Sequence, residues 1–239
     1  MTSIKTDSYI FAARMERSIK ALVFDLDGVI VDTAKYHFQS WREFAVNHGF
    51  SIPDRLNARL KGLSRMEALD EVMQFAPEEL RNKGDFEAFA KEKNDIYLHH
   101  LTDLSHDEIL PGVEKFLKDA RQLGLKLALG SGSKNASSIL ARLDISHLFD
   151  AICDGNDIQR SKPDPQIFLL ACERLGVDPR HAVVFEDAEV GIEAAENGNM
   201  LPVGVGDPSQ LPHAAIVIDG FAYLHAAEFI RTLEQIHVS

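Results

Sequence analysis

Short continuous apolar runs alternate along this chain with longer stretches whose apolar residues recur every three or four positions. The first run, Ala21-Leu22-Val23-Phe24, is too short for a helix and has no polar partner face, so it predicts a strand buried on both sides. Helical periodicity then dominates. Tyr36, Trp41, Phe44 and Ala45 mark a helix over 33–48 that Gly49 stops. Pro53-Asp54 restarts a helix toward Leu60. Ser64-Arg65-Met66-Glu67 has capping-box spacing ahead of Ala68, Leu69, Val72 and Met73. A further helix is predicted from about 85 to 100, with Phe86, Phe89, Ala90, Ile96 and Tyr97 on its inner face. No strand is predicted between Thr33 and Ile109.

After Leu110-Pro111-Gly112 the pattern changes to strict alternation. Helices are predicted over 113–123, 134–143 (with Ser133 as N-cap), 165–175 and 188–197. Between and after them, Lys126–Leu129, Ala151–Cys153, Ala182–Phe185, Pro202–Val205 and Ala215–Ile218 read as buried strands. Strand–helix alternation implies a parallel sheet covered on both faces. The expected fold is therefore α/β, a Rossmann-like parallel sheet core with an inserted helical cap domain. Its expected parts are an N-terminal extension (1–18), a core (19–33 and 110–239) and a helical cap (34–109).

Composition narrows the picture without naming a function. A hydrophobic share of 45% and a charged share of 26% fit a globular protein with a real core. The net charge of −12 argues against nucleic acid as a partner, since backbone phosphates need a basic surface. It leaves room for a small phosphorylated molecule held by a few local cations. Two cysteines, Cys153 and Cys172, read as reduced buried thiols. No apolar run approaches membrane-spanning length. Residues 1–18 lack a continuous apolar segment and read as a disordered extension, with an organellar transit peptide left open. A monomer in the cytoplasm, with no membrane partner, is expected.

The candidate chemistry sits after four of the predicted strands. Asp25-Leu26-Asp27-Gly28 crowds two carboxylates where a buried strand ends, which is unfavourable unless a cation or a reaction needs them. Ser131-Gly132-Ser133-Lys134-Asn135 is a small-residue turn ahead of a helix, suited to an anion. Ser161-Lys162-Pro163-Asp164-Pro165 fixes a lysine in a stiff loop, and Glu186-Asp187 is a second acidic pair at a strand end. Singly, each has an ordinary structural explanation as a turn, a surface loop or a solvated helix start. In an open parallel sheet all four converge at one carboxyl edge. Together they suit phosphoryl transfer: Asp25, Glu186 and Asp187 can hold Mg2+, and a carboxylate can attack phosphorus. Lys162 and Ser131 can neutralise the transferring group, and Asp27 can move a proton.

These four segments resemble the haloacid dehalogenase superfamily of aspartyl phosphotransferases, from about Lys20 to the end. The resemblance implies that Asp25 is the nucleophile and Asp27 the general acid/base, with its backbone carbonyl also on Mg2+. It implies Ser131 and Lys162 as phosphate ligands, Glu186 and Asp187 as metal-site acids, and a substrate-selecting cap. Asp32-Thr33-Ala34-x-Tyr36-His37-Phe38-x-x-Trp41, Leu60-Lys61-Gly62-Leu63-Ser64-Arg65, Lys93-Asn94-Asp95 with Tyr97, and Ser131-x-Ser133-Lys134-Asn135 narrow it. They resemble the β-phosphoglucomutase branch, whose small-molecule substrate is a sugar phosphate.

Physical readings stand beside that resemblance. Arg65 offers a fork of donors for a second phosphate, with Ser133, Lys134 and Asn135 opposite; it also fits a solvated first-turn side chain. Gly62, Leu63 and Ser64 form a small loop that can lie over a sugar ring. His37 and Lys93 can reach the site from two helices, or lie on their surfaces. Trp41 fits a sugar wall or a core aromatic equally. Two departures from the branch are noted: Ala68 where a serine is expected, and Gly132 where alanine is commoner. A sugar-phosphate phosphatase with the same core is the alternative.

Overall fold

A computed structural model describes residues 18–60, 63–102 and 104–236. The expected extension therefore lies outside the described residues except for Ser18, and Gly62 of the predicted loop lies outside them too. Among the described residues six parallel strands form one sheet: β1 (Ala21–Phe24), β2 (Lys126–Gly130), β3 (Ala151–Cys153), β4 (Ala182–Glu186), β5 (Leu201–Val205) and β6 (Ile216–Ile218). Their spatial order is β3-β2-β1-β4-β5-β6. The chain moves outward on one side of β1 and then returns to its other side. Strand order thus reverses between β1 and β4, the crevice where such sheets hold ligands.

Side-chain alternation along the strands explains why their apolar runs are unbroken. Leu22, Phe24, Leu127, Leu129, Val183 and Phe185 enter one core with α6 (Val113–Gln122), α7 (Ala136–Arg142) and α10 (Ala226–Ile236). Ala21, Val23, Ala128, Ala182 and Val184 enter a second core with α8 (Gln166–Leu175) and α9 (Glu189–Asn197). Successive residues face opposite sides, and each side is roofed by helices. On the first side, the Phe24 and Phe185 rings stack at 4.7 Å and 5°, with Phe116 and Phe149 meeting Phe24 edge-on.

Helices fill the stretch between β1 and β2. They are α1 (Ala34–Asn47), α2 (Leu56–Leu60), α3 (Arg65–Met73), α4 (Glu78–Lys83) and α5 (Phe86–His100). Trp41, Phe44, Leu69, Val72, Phe89 and Ala90 build a third core among them. The capping box of α3 forms as its spacing predicts: Ser64 Oγ accepts the Glu67 N–H, and Glu67 Oε2 accepts the Ser64 N–H at 2.8 Å. Helix α5 belongs to both layers, because Phe89 and Ala90 lie in the helical core while Tyr97 lies in the sheet core. Where the chain comes back, the Leu110 N–H donates to the Ile30 carbonyl at 2.9 Å, so the two connecting segments run side by side. Among the described residues no helix is long and apolar enough to cross a membrane. Both cysteines are free and buried, as read.

Three elements depart from the expected pattern. Helix α7 starts at Ala136 with Asn135 as N-cap, later than the predicted Lys134 start with Ser133 capping. The hydroxyls are used inside the preceding turn: Ser131 Oγ accepts the Ser133 N–H, and Ser133 Oγ accepts the Asn135 N–H. Helix α4 was not expected. Nor was α10, although Ala226, Phe229, Ile230 and Leu233 have the spacing of a helix face.

Phe24→Ala removes the ring that four others surround. It should destabilise the protein by about 3–5 kcal/mol, read from urea unfolding.

Candidate active site

Asp25 is the first residue beyond β1, and the sheet itself fixes its place. Its N–H donates to the Phe185 carbonyl at 2.9 Å, which extends the β1–β4 register by one residue and brings Asp25 beside Glu186. The next turn is tight: the Asp27 N–H donates back to Asp25 Oδ2 at 3.0 Å. Gly28 follows with φ +77°, and a Cβ there would lie 2.1 Å from Asp187 Oδ2. Both the left-handed backbone and the Asp187 carboxylate therefore require glycine.

Lys162 enters this cluster from the loop between β3 and α8. Its side chain is buried, and Nζ donates to Asp25 Oδ1 at 2.6 Å and Glu186 Oε2 at 2.7 Å. Burial alone would lower the lysine pKa, but the Asp25 and Glu186 charges overcome it and raise it above the ordinary value. The carboxylates remain in excess. Burial, then the Asp25 and Asp187 charges against the relief from Lys162, pushes Glu186 upward. Burial, followed by Asp25 and Asp187, pushes Asp27 well above the carboxylate range. Oxygen atoms of Asp25, Glu186 and Asp187 lie within 4.8 Å of one another. Three carboxylates against one ammonium leave a charge deficit that a divalent cation fits, and an all-oxygen donor set suits a hard ion. Asp27 is outside that side-chain set.

A cavity of about 510 Å³ opens above these residues, between the sheet edge and the helical layer. It joins the predicted groups. Asp25, Asp27, Lys162, Glu186 and Asp187 line its floor, with Ser131, Gly132, Ser133, Lys134 and Asn135 alongside. His37, Trp41, Leu63, Ser64, Arg65, Lys93 and Asn94 line it from the helices. Every predicted site residue within the described chain borders this one space; Gly62 lies outside the described residues.

The helical wall is more tightly built than a solvated surface. Lys93 is 5% exposed, and its Nζ lies 2.8 Å from His37 Nδ1. When Lys93 is protonated its ammonium can only donate, and the pairing then leaves the His37 proton on Nε2. The same Nζ lies 4.9 Å from the Trp41 ring centre and 4.8 Å from that of Tyr97, a cation–π arrangement on both sides. Burial and the Arg65 charge bring Lys93 down to about 7. Burial, then Lys93 and Arg65, holds His37 well below its usual value. Trp41 both packs in the helical core and faces the cavity, so its two readings are compatible.

Asn94 links the two layers. Its Oδ1 accepts from Arg65 Nη2 at 2.9 Å and from Asn135 Nδ2 at 2.8 Å. Arg65 is thus tied inward rather than left as a first-turn surface group. Sequence reasoning missed other wall residues, including Asn57, Glu87, Lys91 and Gln159. Glu87, Lys91 and Asn94 are four and three apart on α5, so helical periodicity extended from Asn94 would have found two of them.

This arrangement of strand-end carboxylates, buried lysine and overlying helices has counterparts among known proteins. Residues 19–199 match the family model for haloacid dehalogenase-like hydrolases. The chain belongs to that family. It is 38% identical over 201 residues to a β-phosphoglucomutase of Bacillus subtilis (strain 168), covering 84% of this chain and 89% of that protein. It is 33% identical over 184 residues to a phosphorylated carbohydrates phosphatase of Thermotoga maritima, covering 76% and 82% respectively. Its fold is similar to the crystal structure of a β-phosphoglucomutase from Clostridium difficile, with a TM-score of 0.83, 38% identity and coverage of 92% and 99%.

The Lys93 ammonium should titrate near neutrality, with a midpoint of about 7. Because its folded pKa lies below the unfolded value of about 10.4, the unfolded chain binds more protons between these values. Lys93 therefore costs stability below pH 7, and the cost is relieved as pH rises from about 7 to 10.4. Lys93→Met should flatten that part of the pH–stability curve, measured by urea unfolding across pH.

Proposed function

We propose that the protein is an Mg2+-dependent β-phosphoglucomutase. It would interconvert β-D-glucose 1-phosphate and glucose 6-phosphate through a phosphoaspartyl enzyme and glucose 1,6-bisphosphate. One observation carries this reading: the cavity holding the carboxylate–lysine cluster is also lined by Arg65, Lys134 and the Asn94–Asn135 bridge. Hydrolysis requires a grip on one phosphate. A mutase must hold two, because its bisphosphate has to present either end to the same nucleophile.

In this reading Asp25 attacks the phosphorus of the bisphosphate, and its carboxylate carries the phosphoryl group while the sugar oxygen leaves. Asp27, whose protonated form is favoured by burial and by the Asp25 and Asp187 charges, gives that oxygen a proton. In the return half-reaction it takes the proton from the attacking sugar hydroxyl. Lys162 and Ser131 stabilise charge on the transferring group. Asp25, Glu186 and Asp187, with the Asp27 backbone carbonyl, would hold Mg2+, which reduces the repulsion between the carboxylate and the phosphate when bound. Arg65, Ser133, Lys134 and Asn135 hold the far phosphate. His37, Trp41, Leu63, Ser64, Lys93 and Asn94 shape the sugar space, with Gly62 assigned there by resemblance. Residues 34–109 act as the cap that closes over the site and keeps water from the phosphoaspartate. Phosphatase action on a sugar phosphate is the second reading, favoured by the named activity of the T. maritima relative.

31P NMR of the enzyme with β-glucose 1-phosphate, a trace of the bisphosphate and Mg2+ separates the two. The expected spectrum gains glucose 6-phosphate with little inorganic phosphate. Inorganic phosphate without glucose 6-phosphate would establish the phosphatase instead. Asp25→Asn should abolish both products. Arg65→Ala should raise the KM for the bisphosphate about 10- to 100-fold, the scale of losing a charged hydrogen-bond donor.

A further inference from the structure

A buried carboxyl that the proposed reaction does not use lies behind the turn between β2 and α7. Asp154, the first residue after β3, is 7% exposed and does not line the cavity. Its two oxygens take three donors. Oδ1 accepts the Asn156 backbone N–H at 2.8 Å and Asn156 Nδ2 at 2.9 Å, and Oδ2 accepts the Ser137 hydroxyl at 2.8 Å. The Asp154 N–H donates to Asp157 Oδ2 at 2.9 Å, and Arg174 of α8 holds Asp157 Oδ1 at 2.6 Å. The carboxyl is thus anchored from behind and bonded forward.

These contacts converge on Lys134 and Asn135. The β2–β3 pairing ends at Gly130 and Cys153 and brings the two following loops together. The Ser131 N–H donates to the Cys153 carbonyl and the Gly155 N–H to the Ser133 carbonyl, each at 3.1 Å. A Cβ on Gly155 would lie 2.2 Å from the Gly132 carbonyl oxygen, so this approach requires glycine. Asn156 then reaches across, and its Nδ2 donates to the Lys134 carbonyl at 2.9 Å. Both partners of that amide nitrogen are acceptors, which fixes the amide in one orientation. Ser137 lies in the first turn of α7, just past Asn135. Asp154 therefore grips the Lys134–Asn135 pair from both ends. By sign alone a carboxylate behind an anion-binding turn is unfavourable. Its use there is geometric.

We propose that Asp154 and Asn156 are positioning residues that set the grip on the far phosphate. Asp154 orients the Asn156 amide, the amide clamps the Lys134 carbonyl, and Ser137 fixes the start of α7. Lys134 and Asn135 are then presented to the cavity in one arrangement. The same clamp sets Asn135 Nδ2 against Asn94, and through it the contact between the two layers. Neither positioning residue touches substrate. This inference rests on the far-phosphate role proposed for Lys134 and Asn135.

Two phosphoryl donors test the role. Glucose 1,6-bisphosphate engages the far-phosphate turn, whereas 4-nitrophenyl phosphate has only the phosphate that is transferred. Asp154→Ala and Asn156→Ala should each raise the KM for the bisphosphate about five- to tenfold with kcat nearly unchanged. The 4-nitrophenolate burst should stay within about twofold of wild type. Asp154→Asn keeps an acceptor for Asn156 and lets the Ser137 hydroxyl accept instead of donate, so it should restore most of the affinity. Asn156 is exposed, so its variant folds whether or not Asp154→Ala does. Adding Asn156→Ala to Lys134→Ala should raise the KM by less than the product of the single effects, because one residue acts through the other. An unchanged KM for the bisphosphate in Asn156→Ala, or an equal loss with both donors, would overturn the proposal. Lys134→Ala separates the two levels. If it leaves the KM for the bisphosphate unchanged, the far-phosphate reading itself fails. If it raises that KM and Asn156→Ala does not, only the positioning role fails.

Discussion

Bringing Asp25 and Glu186 to the ends of adjacent strands places two negative charges at a buried sheet edge. Without a counter-charge the sheet would have to open there or the carboxyls would have to stay protonated. The Lys162 ammonium, within 2.7 Å of both, meets that requirement. Removing one partner of such a buried group strands the others, at a cost of several kcal/mol. The β1–β4 register, the loop that carries Lys162 and the tight turn after Asp25 all converge on this contact. The compensation is incomplete, since Asp187 adds another carboxylate. That remaining deficit makes the edge fit for a cation.

Above the edge, the helical layer faces a different problem. It must border the site yet keep a core of its own. Helix α5 reconciles the two by rooting one end in the sheet core and the other among the helices. Its middle carries Lys93 and Asn94 over the cavity, between the two roots. Lys93 is kept there by the Trp41 and Tyr97 rings and by His37, so a charged side chain occupies a nearly dry wall. The Asn94 carbonyl, shared by Arg65 and Asn135, ties that wall to the sheet side. A ligand with anionic groups at two ends meets charge and donors on both layers.

Much of this was legible in the chain. Unbroken runs such as Ala182–Phe185 identify strands covered on both faces, because any exposed face would have required polar alternation. The Ser64–Glu67 spacing located a helix start correctly, since a capping box is satisfied within four residues. Local signals failed where hydroxyls had competing uses. Ser133 looks like an N-cap, but its Oγ serves the turn before α7. Helix α10 shows that an apolar face at the chain's end is as informative as one in its middle.

The sequence by itself determined the strand ends at which Asp25, Ser131 and Glu186 appear, because strand limits follow from local apolar runs. Only the tertiary structure decided that Lys162 meets Asp25 across 137 positions, that Lys93 is buried against His37, and that Arg65 turns inward to Asn94. Those contacts depend on burial and on the register between strands and helices. Such quantities arise from packing distant segments together, and no local pattern of residues encodes them.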